Sequence, residues 1–288
     1  MELQKKFSAL IDAAIYMECT PAVEAGTMAF LSRNLILATM PHSKPDTLVW
    51  ERRNGNLLME MVAHPRFGLP YGSRARLLLA WIITQAVRTK EPIIDLGKSA
   101  TAFIHQFQTA STGGDYGSIR GYKEQLERLL ATTIRCEWSD KSSGLTSHTA
   151  YLLAEHSETW WDPVVADLQG HIPETKICLS SKFFEELLAH PVPLDMRALF
   201  ALKRSPLALD IYCWLTYRYS TLQRPAIISW KGLELQFGSA YKTSREFRRN
   251  FRKQLERVKH VYPRANIEEV SRKGMKLMPS PTHITSIH

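Results

Sequence analysis

Cysteine is scarce in this sequence, and the spacings that bind metal ions are missing. The 288 residues include four cysteines, none close to another, and ten histidines without an H-x-x-x-H or H-x-H pair. No C-x-x-C pair occurs either. We therefore expect no metal site and no cofactor, and we expect the cysteines to be buried free thiols. The four are Cys19, Cys136, Cys178 and Cys213.

Long apolar runs are absent as well. No stretch of 18 or more apolar residues occurs, so the sequence predicts no transmembrane helix and no membrane partner. The N-terminus also lacks the apolar middle and small-residue cleavage site of a secretory signal. With 44% hydrophobic and 23% charged residues, the composition is that of a soluble globular protein. We expect it in the cytoplasm.

Patterns for catalysis and nucleotide binding are weak. Gly97-Lys98-Ser99 matches the end of a phosphate loop, but Pro92 stands where the first glycine is required and has no amide hydrogen. We expect Ser99 to cap a helix instead. A nicking enzyme would need a tyrosine nucleophile and a metal held by a histidine pair, and that pair is missing. The sequence therefore predicts no enzymatic activity.

The sequence does contain an internal repeat. In each copy a tryptophan is followed eleven residues later by a proline, then by a phenylalanine and by the string Gln-Leu-Glu-Arg. The copies carry Trp81, Pro92, Phe107 and Gln125, and Trp214, Pro225, Phe237 and Gln254. The pattern predicts two related modules. The alternative is that it reflects only two similar helical packing units.

Each copy is predicted to form a helix, a short strand, a helix, a turn, a longer helix and a β-hairpin. That order is typical of the winged helix, a helix-turn-helix with an appended hairpin, which places a helix in the DNA major groove. We therefore predict an α+β fold of tandem winged-helix domains. The N-terminal domain, with a helical extension, spans residues 1–165, and the C-terminal DNA-binding domain spans residues 166–288. The linker is predicted between Trp160 and Glu174.

In the first copy, the longer helix is predicted to begin near Ser118, whose hydroxyl would cap it. Its apolar stripe leaves Arg120, Gln125 and Arg128 on the outside, where Gln125 would pair with adenine. The predicted DNA-binding residues of this copy are Ser118, Arg120, Gln125 and Arg128. The same surface also carries Glu124 and Glu127, so it is less basic than its counterpart.

Two further segments complete the prediction for the first copy. The runs Ile134–Trp138 and Thr149–Leu153 flank a polar tip, and this hairpin is the candidate wing. The run Lys176–Leu179 is predicted to be a strand that opens the second module.

The second copy has the most basic surface. Thr243-Ser244-Arg245-Glu246 fits a capping box, and twelve Lys or Arg against four Glu lie between Lys242 and Lys276. A narrow apolar stripe places the cations on the opposite side, and the following hairpin turns at Ser271-Arg272-Lys273-Gly274. The predicted DNA-binding residues are Lys242, Thr243, Ser244, Arg245, Arg248, Arg249, Arg252, Lys253, Arg272 and Lys273. A basic helix face is by default merely solvated, but its place in a helix-turn-helix favours phosphate contacts.

Three strings resemble the plasmid-encoded RepA replication initiators of Gram-negative bacteria. They are the segment from Leu69 to Trp81, the segment from Gly113 to Ile119, and the segment from Ser205 to Tyr217. The resemblance covers roughly residues 60–280, and the N-terminal 50 residues match no motif. Of the candidate DNA-binding residues, only Ser118 falls in a family motif.

The resemblance implies binding, without enzymatic activity, to double-stranded DNA at direct repeats (iterons) of a plasmid origin. It also implies opening of adjacent AT-rich DNA and recruitment of the host initiator and replicative helicase. Related initiators often act as monomers at the origin and as homodimers when repressing their own gene. A transcriptional regulator with two winged helices is the alternative, and it would use the same DNA-binding residues. A protein-binding scaffold is disfavoured by the basic stripe.

Overall fold

The structure is a computed structural model that describes residues 2–110, 112, 117–140, 142–158, 175–238 and 241–284, without the side chains of residues 2–9. The predicted linker between Trp160 and Glu174 lies outside the described residues, as do residues 113–116 of the segment from Gly113 to Ile119. No described helix has the length and hydropathy needed to cross a membrane.

Helices and short strands alternate along the chain, so the fold is a mixed α+β fold, as predicted. The helices are α1 (Glu2–Cys19), α2 (Arg33–Leu37), α3 (Gly72–Thr89), α4 (Ala100–His105), α5 (Ser118–Leu130), α6 (Ser181–Ala189), α7 (Met196–Leu202), α8 (Pro206–Thr221), α9 (Trp230–Phe237) and α10 (Ser244–Val261). The strands are β1 (Met28–Ser32), β2 (Val49–Asn54), β3 (Leu57–Ala63), β4 (Ile93–Asp95), β5 (Thr132–Ser139), β6 (Thr146–Leu152), β7 (Ala154–Glu158), β8 (Lys176–Leu179), β9 (Pro191–Asp195), β10 (Ala226–Ser229), β11 (Ile267–Val270) and β12 (Gly274–Leu277).

The repeat is confirmed as a repeat of structure. The elements α3, β4, α4 and α5 form the first module, and α8, β10, α9 and α10 follow in the same order in the second. In the first, the ring centroids of Trp81 and Phe107 lie 6.3 Å apart, and Phe107 stacks on Tyr122 at 4.8 Å. In the second, Trp214, Phe237 and Phe251 make the corresponding contacts at 5.5 and 5.8 Å. Both modules are therefore built around the same aromatic triplet.

Helix starts follow the sequence signals. Ser99 caps α4 by accepting a hydrogen bond from the amide of Ala102, which confirms the predicted cap. Ser205 accepts from the Ala208 amide at the start of α8, and Pro206 occupies the first helical position, where a missing amide costs nothing. The buried α3 is apolar on nearly every side, as expected for a central helix.

The sheets correct the predicted wing of the first module. In the second module, β10, β12 and β11 form an antiparallel sheet in that order. The matching sheet of the first module is β4-β8-β7, whereas the predicted wing, now β5 and β6, joins β2 and β3 in a separate four-stranded sheet. The reason is apolar pairing across the strands, because Met59 opposes Cys136 and Met61 opposes Ile134 on a buried face.

The strand predicted at Lys176–Leu179 is confirmed as β8, but it pairs with the first module rather than with the second. As β8, it pairs antiparallel with β4, so that Ile94 faces Ile177, and it also pairs with β7. Residues on both sides of position 165 therefore share one sheet. The residues that connect β7 to β8 lie outside the described part of the chain, apart from Thr175.

Two long-range contacts tie the N-terminal segment to the second half of the chain. Strand β1 pairs antiparallel with β9, from Met28 opposite Asp195 to Ser32 opposite Pro191. Helix α1 packs against α7 and α10 through Leu10 and Met17. The predicted burial of all four cysteines is wrong for Cys19, which is exposed at the end of α1, because α1 covers the core with one face only. Cys178 is half-buried.

Candidate nucleic-acid interface

Helix α10 separates apolar from cationic side chains along its whole length. Its N-cap is Thr243, whose hydroxyl accepts a hydrogen bond from the Glu246 amide at 3.2 Å, as the capping prediction required. The side chains of Phe247, Phe251 and Val258 are completely buried, and Leu255 nearly so. The apolar stripe therefore fixes which side of α10 faces solvent.

Four cations lie on the solvent side of α10 and the turn before it. They are Lys242, Arg245, Arg249 and Lys253. All four side chains are exposed. Within the described residues, none of these side chains makes a hydrogen bond or lies beside a carboxylate. Their charges are therefore available to an external anion, and we refer to these four residues as the cationic face.

Arg248 and Arg252 were predicted to bind DNA, but their side chains contact Trp230 of α9. Their guanidinium carbons lie 5.5 and 5.0 Å from the ring centroid of Trp230. Arg252 also donates two hydrogen bonds of 2.7 Å to Glu269 on β11. These bonds lower the pKa of the Glu269 carboxyl and raise that of Arg252. Arg252 therefore joins α10 to the hairpin, because a bidentate carboxylate lies within its reach.

Ser244 is also engaged within the protein. Its hydroxyl donates to the carboxylate of Glu234 on α9, at 2.7 and 2.8 Å from the two oxygens. This bond ties the start of α10 to the preceding helix across the turn. Ser244 and Thr243 thus orient α10.

The hairpin of the second module turns through Ser271, Arg272 and Lys273, as predicted. Arg272 has a φ of 58°, and both basic side chains are exposed. Gly274 is required at the start of β12, since a Cβ there would overlap the carbonyl oxygen of Ile228 on β10. The amide of Trp230 donates to the carbonyl of Lys273 at 3.3 Å, so the basic tip is anchored beside α9.

The corresponding surface of the first module differs from the prediction. Gln125 is 4% exposed, and its side-chain oxygen accepts from the Tyr71 amide at 2.8 Å. Arg128 is buried too, and donates to Glu124 and to the carbonyl of Leu69. The turn before α3 has backbone groups that need partners, and these two side chains supply them. The prediction that Gln125 and Arg128 face outward is therefore wrong.

Ser118 is buried and is not the cap of α5. Its hydroxyl accepts from the Thr112 amide at 2.9 Å and donates to the Ala110 carbonyl at 2.6 Å, while Gly117 occupies the N-cap position. Ser118 therefore ties the start of α5 to Ala110 and Thr112. Of the residues predicted to bind DNA in the first module, Arg120 alone is exposed.

A signal for the buried glutamine was present in the sequence. Gln125 lies three residues after Tyr122 and four before Leu129, so helical spacing puts it beside the apolar stripe. The spacing does not predict that Gln125 bonds to the Tyr71 amide, because the turn before α3 is distant in sequence.

Comparison with known proteins bears on the identity of the chain. A model of the family described as "Plasmid encoded RepA protein" matches residues 69–231, which is more than half of the sequence. The chain belongs to the plasmid-encoded RepA family.

No curated protein matches this RepA chain. A solved structure titled "Crystal structure of SeMet derivatives of domain2 and domain 3 of RctB" aligns with it at a TM-score of 0.54 and 12% sequence identity. The alignment covers 88% of this chain and 97% of that one. At this identity the likeness concerns the fold alone.

The RepA match ends at residue 231, before α10 begins. The cationic face therefore lies outside the matched region, whereas α3 and α8 lie within it. Two of the segments that resemble RepA initiators, the one from Leu69 to Trp81 and the one from Ser205 to Tyr217, are in contact in the structure. Arg76 of α3 and Asp210 of α8 form a buried ion pair with an Nε to Oδ1 distance of 2.7 Å. Among the described residues of this RepA protein, no cluster of three His, Cys, Asp or Glu is arranged to hold a metal ion.

Proposed function

We propose that this RepA-family protein is a plasmid replication initiator that binds direct repeats at the plasmid origin. Membership of the family supports a role in plasmid replication. The observation that carries DNA binding is the cationic face, four exposed side chains without carboxylate partners on one side of a capped helix. Such an array matches a line of phosphates, and phosphate contacts supply most of the sequence-independent affinity for DNA.

Both modules are proposed to be winged helices, with α10 as the recognition helix of the second. In that arrangement α10 enters the major groove, and Arg272 and Lys273 reach phosphates beside it. Arg252 positions the hairpin relative to α10 through Glu269. The pairing of β8 with β4 favours a module boundary C-terminal to Leu179 rather than near residue 165.

The first module is proposed to make fewer contacts with DNA. Arg120 is its exposed candidate, and Glu124 and Glu127 would repel phosphates nearby. This module is therefore also the candidate for the homodimer contact in repression of the protein's own gene. Opening of AT-rich DNA and recruitment of the host initiator and helicase complete the proposed role, which places the protein in the cytoplasm with the plasmid.

Hydroxyl-radical footprinting on one origin repeat tests this proposal. If both modules bind, one chain should protect about 20 base pairs, because recognition helices on one face of the duplex are about one helical turn apart. Protection of about 10 base pairs would assign DNA binding to the second module alone. A chain that shows no preference for origin repeats over unrelated DNA would refute the initiator function, and replication of an origin plasmid in cells separates an initiator from a regulator.

A further inference from the structure

A buried ion pair connects the equivalent helices of the two modules. The Nε and Nη2 atoms of Arg76 on α3 each donate to Asp210 on α8, at 2.7 Å from Oδ1 and Oδ2 respectively. Both side chains are almost fully buried, at 7% and 10% exposure. The planar fork of arginine matches a carboxylate in one geometry, so this contact defines both distance and angle.

The rest of the arginine is also fully engaged. Nη1 donates to the carbonyls of Pro41 and Gly72, and Nη2 donates to that of Met40. An arginine side chain has five N–H groups, and all five have acceptors here. His42 completes the network, because its Nε2 lies 2.8 Å from Asp210 Oδ2. Three segments therefore converge on one carboxylate: the loop before β2, α3 and α8.

The state of charge of the network is set by its surroundings. Burial alone would raise the pKa of Asp210, but Arg76 and His42 outweigh it and the pKa is lowered. Burial lowers the pKa of His42, which leaves the ring neutral. A neutral ring next to a carboxylate must donate its proton from Nε2. The network is thus one cation, one anion and one neutral donor.

The neighbours of this network are apolar. Together with Arg76 and Asp210, a small cavity between α2, α3, α7 and α8 is lined by Leu77, Leu199, Leu209 and Cys213. An apolar contact alone would tolerate sliding of one helix on the other, whereas the bidentate contact of Arg76 with Asp210 holds one distance and one angle. The pair also departs from the repeat, since Trp81 and Trp214 align Arg76 with Leu209 and Asp210 with Leu77.

The two helices joined by this pair support α5 and α10, the last helix of each module. Helix α3 packs against α5, and α8 packs against α10. A rotation of α3 on α8 would therefore change the distance between α5 and α10. We propose that Arg76, Asp210 and His42 are positioning residues that fix the separation of the two modules for binding to one DNA repeat. This inference rests on the proposed function only for its DNA readout.

The decisive measurement uses the full-length protein without DNA. Spin labels at Glu127→Cys and Glu256→Cys, in a background with Cys19→Ser and Cys178→Ser, report the distance between α5 and α10. The unmodified network should give one narrow distance distribution. The double variant Arg76→Met with Asp210→Leu replaces the charges with apolar side chains, so it should fold but at least double the width of the distribution. An unchanged distribution in the folded double variant would overturn the proposal.

Asp195→Asn is the matched control. Asp195 is a buried carboxylate that also pairs with an arginine, Arg197, at 2.7 Å, but this pair does not join α3 to α8. It should leave the α5 to α10 distance unchanged. Broadening of the same size in the control would show that the loss of any buried ion pair loosens the structure, and it would contradict a specific role for Arg76 and Asp210.

A DNA series then tests the consequence for recognition. Origin duplexes carry an insertion of 5 base pairs, half a helical turn, at the centre of the repeat. The insertion should weaken wild-type binding by at least about tenfold and binding of the double variant by less than about threefold, because loosely joined modules tolerate altered spacing. Equal losses in both proteins would contradict the proposal. If the insertion affects neither protein, two-module DNA binding fails, and the label distances still decide the role of the network.

Discussion

At equivalent positions, α5 and α10 carry different chemistry on the same scaffold. Aligned through Gln125 and Gln254, Glu124 of α5 corresponds to Lys253 of α10, so the charge is reversed there, whereas Arg120 and Arg249 are the same residue type. Gln125 and Arg128 of α5 bond to the turn before α3, whereas the side chains of Arg245, Arg249 and Lys253 of α10 are exposed and have no partner among the described residues. The same arrangement of elements therefore presents α5, whose polar side chains stabilise its own module, and α10, whose cations can bind phosphates.

The aromatic triplets provide the largest test of this comparison. Phe251 and Tyr122 occupy equivalent sites in the two modules, and each side chain is at most 2% exposed. Phe251→Ala and Tyr122→Ala should each lower the free energy of unfolding by about 3–5 kcal/mol through cavity formation. Chemical denaturation measures both. A cost confined to one module would show that the two cores are not equivalent.

The cationic face gives the second largest effect. Arg249→Ala with Lys253→Ala should reduce the slope of log affinity against log salt by about 1.8, since each phosphate contact contributes about 0.9. Near 0.15 M salt this corresponds to about 30-fold weaker DNA binding, with little change in melting temperature. Binding titrations at several salt concentrations measure it.

A charge-matched control for that pair is Arg53→Ala with Arg135→Ala. Both side chains are exposed on the same face of the four-stranded sheet, on strands β2 and β5, which do not belong to the second module. This control should leave the salt slope unchanged. If it lowers the slope as much as the α10 variant, the protein attracts DNA through its total charge and α10 has no special role.

Gln125 should affect folding and not recognition. Gln125→Ala leaves the part-buried Tyr71 amide without its side-chain acceptor, which should cost about 1–2 kcal/mol of stability. The salt slope and base preference on DNA should be those of the wild type. A specific loss of binding to repeats rich in adenine, with stability intact, would instead restore the interpretation that Gln125 reads a base.

The smallest effect is expected at the hairpin. The pKa of Glu269 is lowered in the folded protein, so its contribution to stability is present above its ordinary value of 4.5 and is lost as the pH falls further. Glu269→Gln should change stability by less than about 1 kcal/mol, because the pair is exposed. It should also release Arg252 and raise the salt slope by up to about 0.9. Denaturation between pH 3 and 7 and salt titration of DNA binding test both parts.

Local signals in the sequence were sufficient for much of the fold. The caps at Ser99 and Thr243 and the apolar stripe of α10 depend on residues within a few positions of one another, and the repeat follows from equal spacings in two parts of the sequence. The strands that pair with β4 and β5 could not be predicted from such local signals. An unpaired strand edge can form backbone hydrogen bonds with any other strand, whatever its sequence. Only the burial of Met59 and Met61 against β5 decides the pairing.

The candidate site divides in the same way. Exposure of the four cations of α10 was predictable, because an uninterrupted apolar stripe fixes the opposite side. The inward turn of Gln125 and Arg128 depends on carbonyl and amide groups of Leu69 and Tyr71, more than fifty residues earlier in the chain. The ion pair of Arg252 with Glu269 could not be predicted either, because the sequence does not show which residues of α10 lie beside β11.

The order of the strands also constrains how the chain folds as it is synthesised. Strand β4 pairs with β8, and β1 pairs with β9, so neither β4 nor β1 has these partners until the chain has been made up to residue 195. Closing such long loops is slow, and exposed strand edges invite pairing with other chains. A fragment that stops near residue 165 lacks both partners and should aggregate, whereas one that extends past β9 retains them.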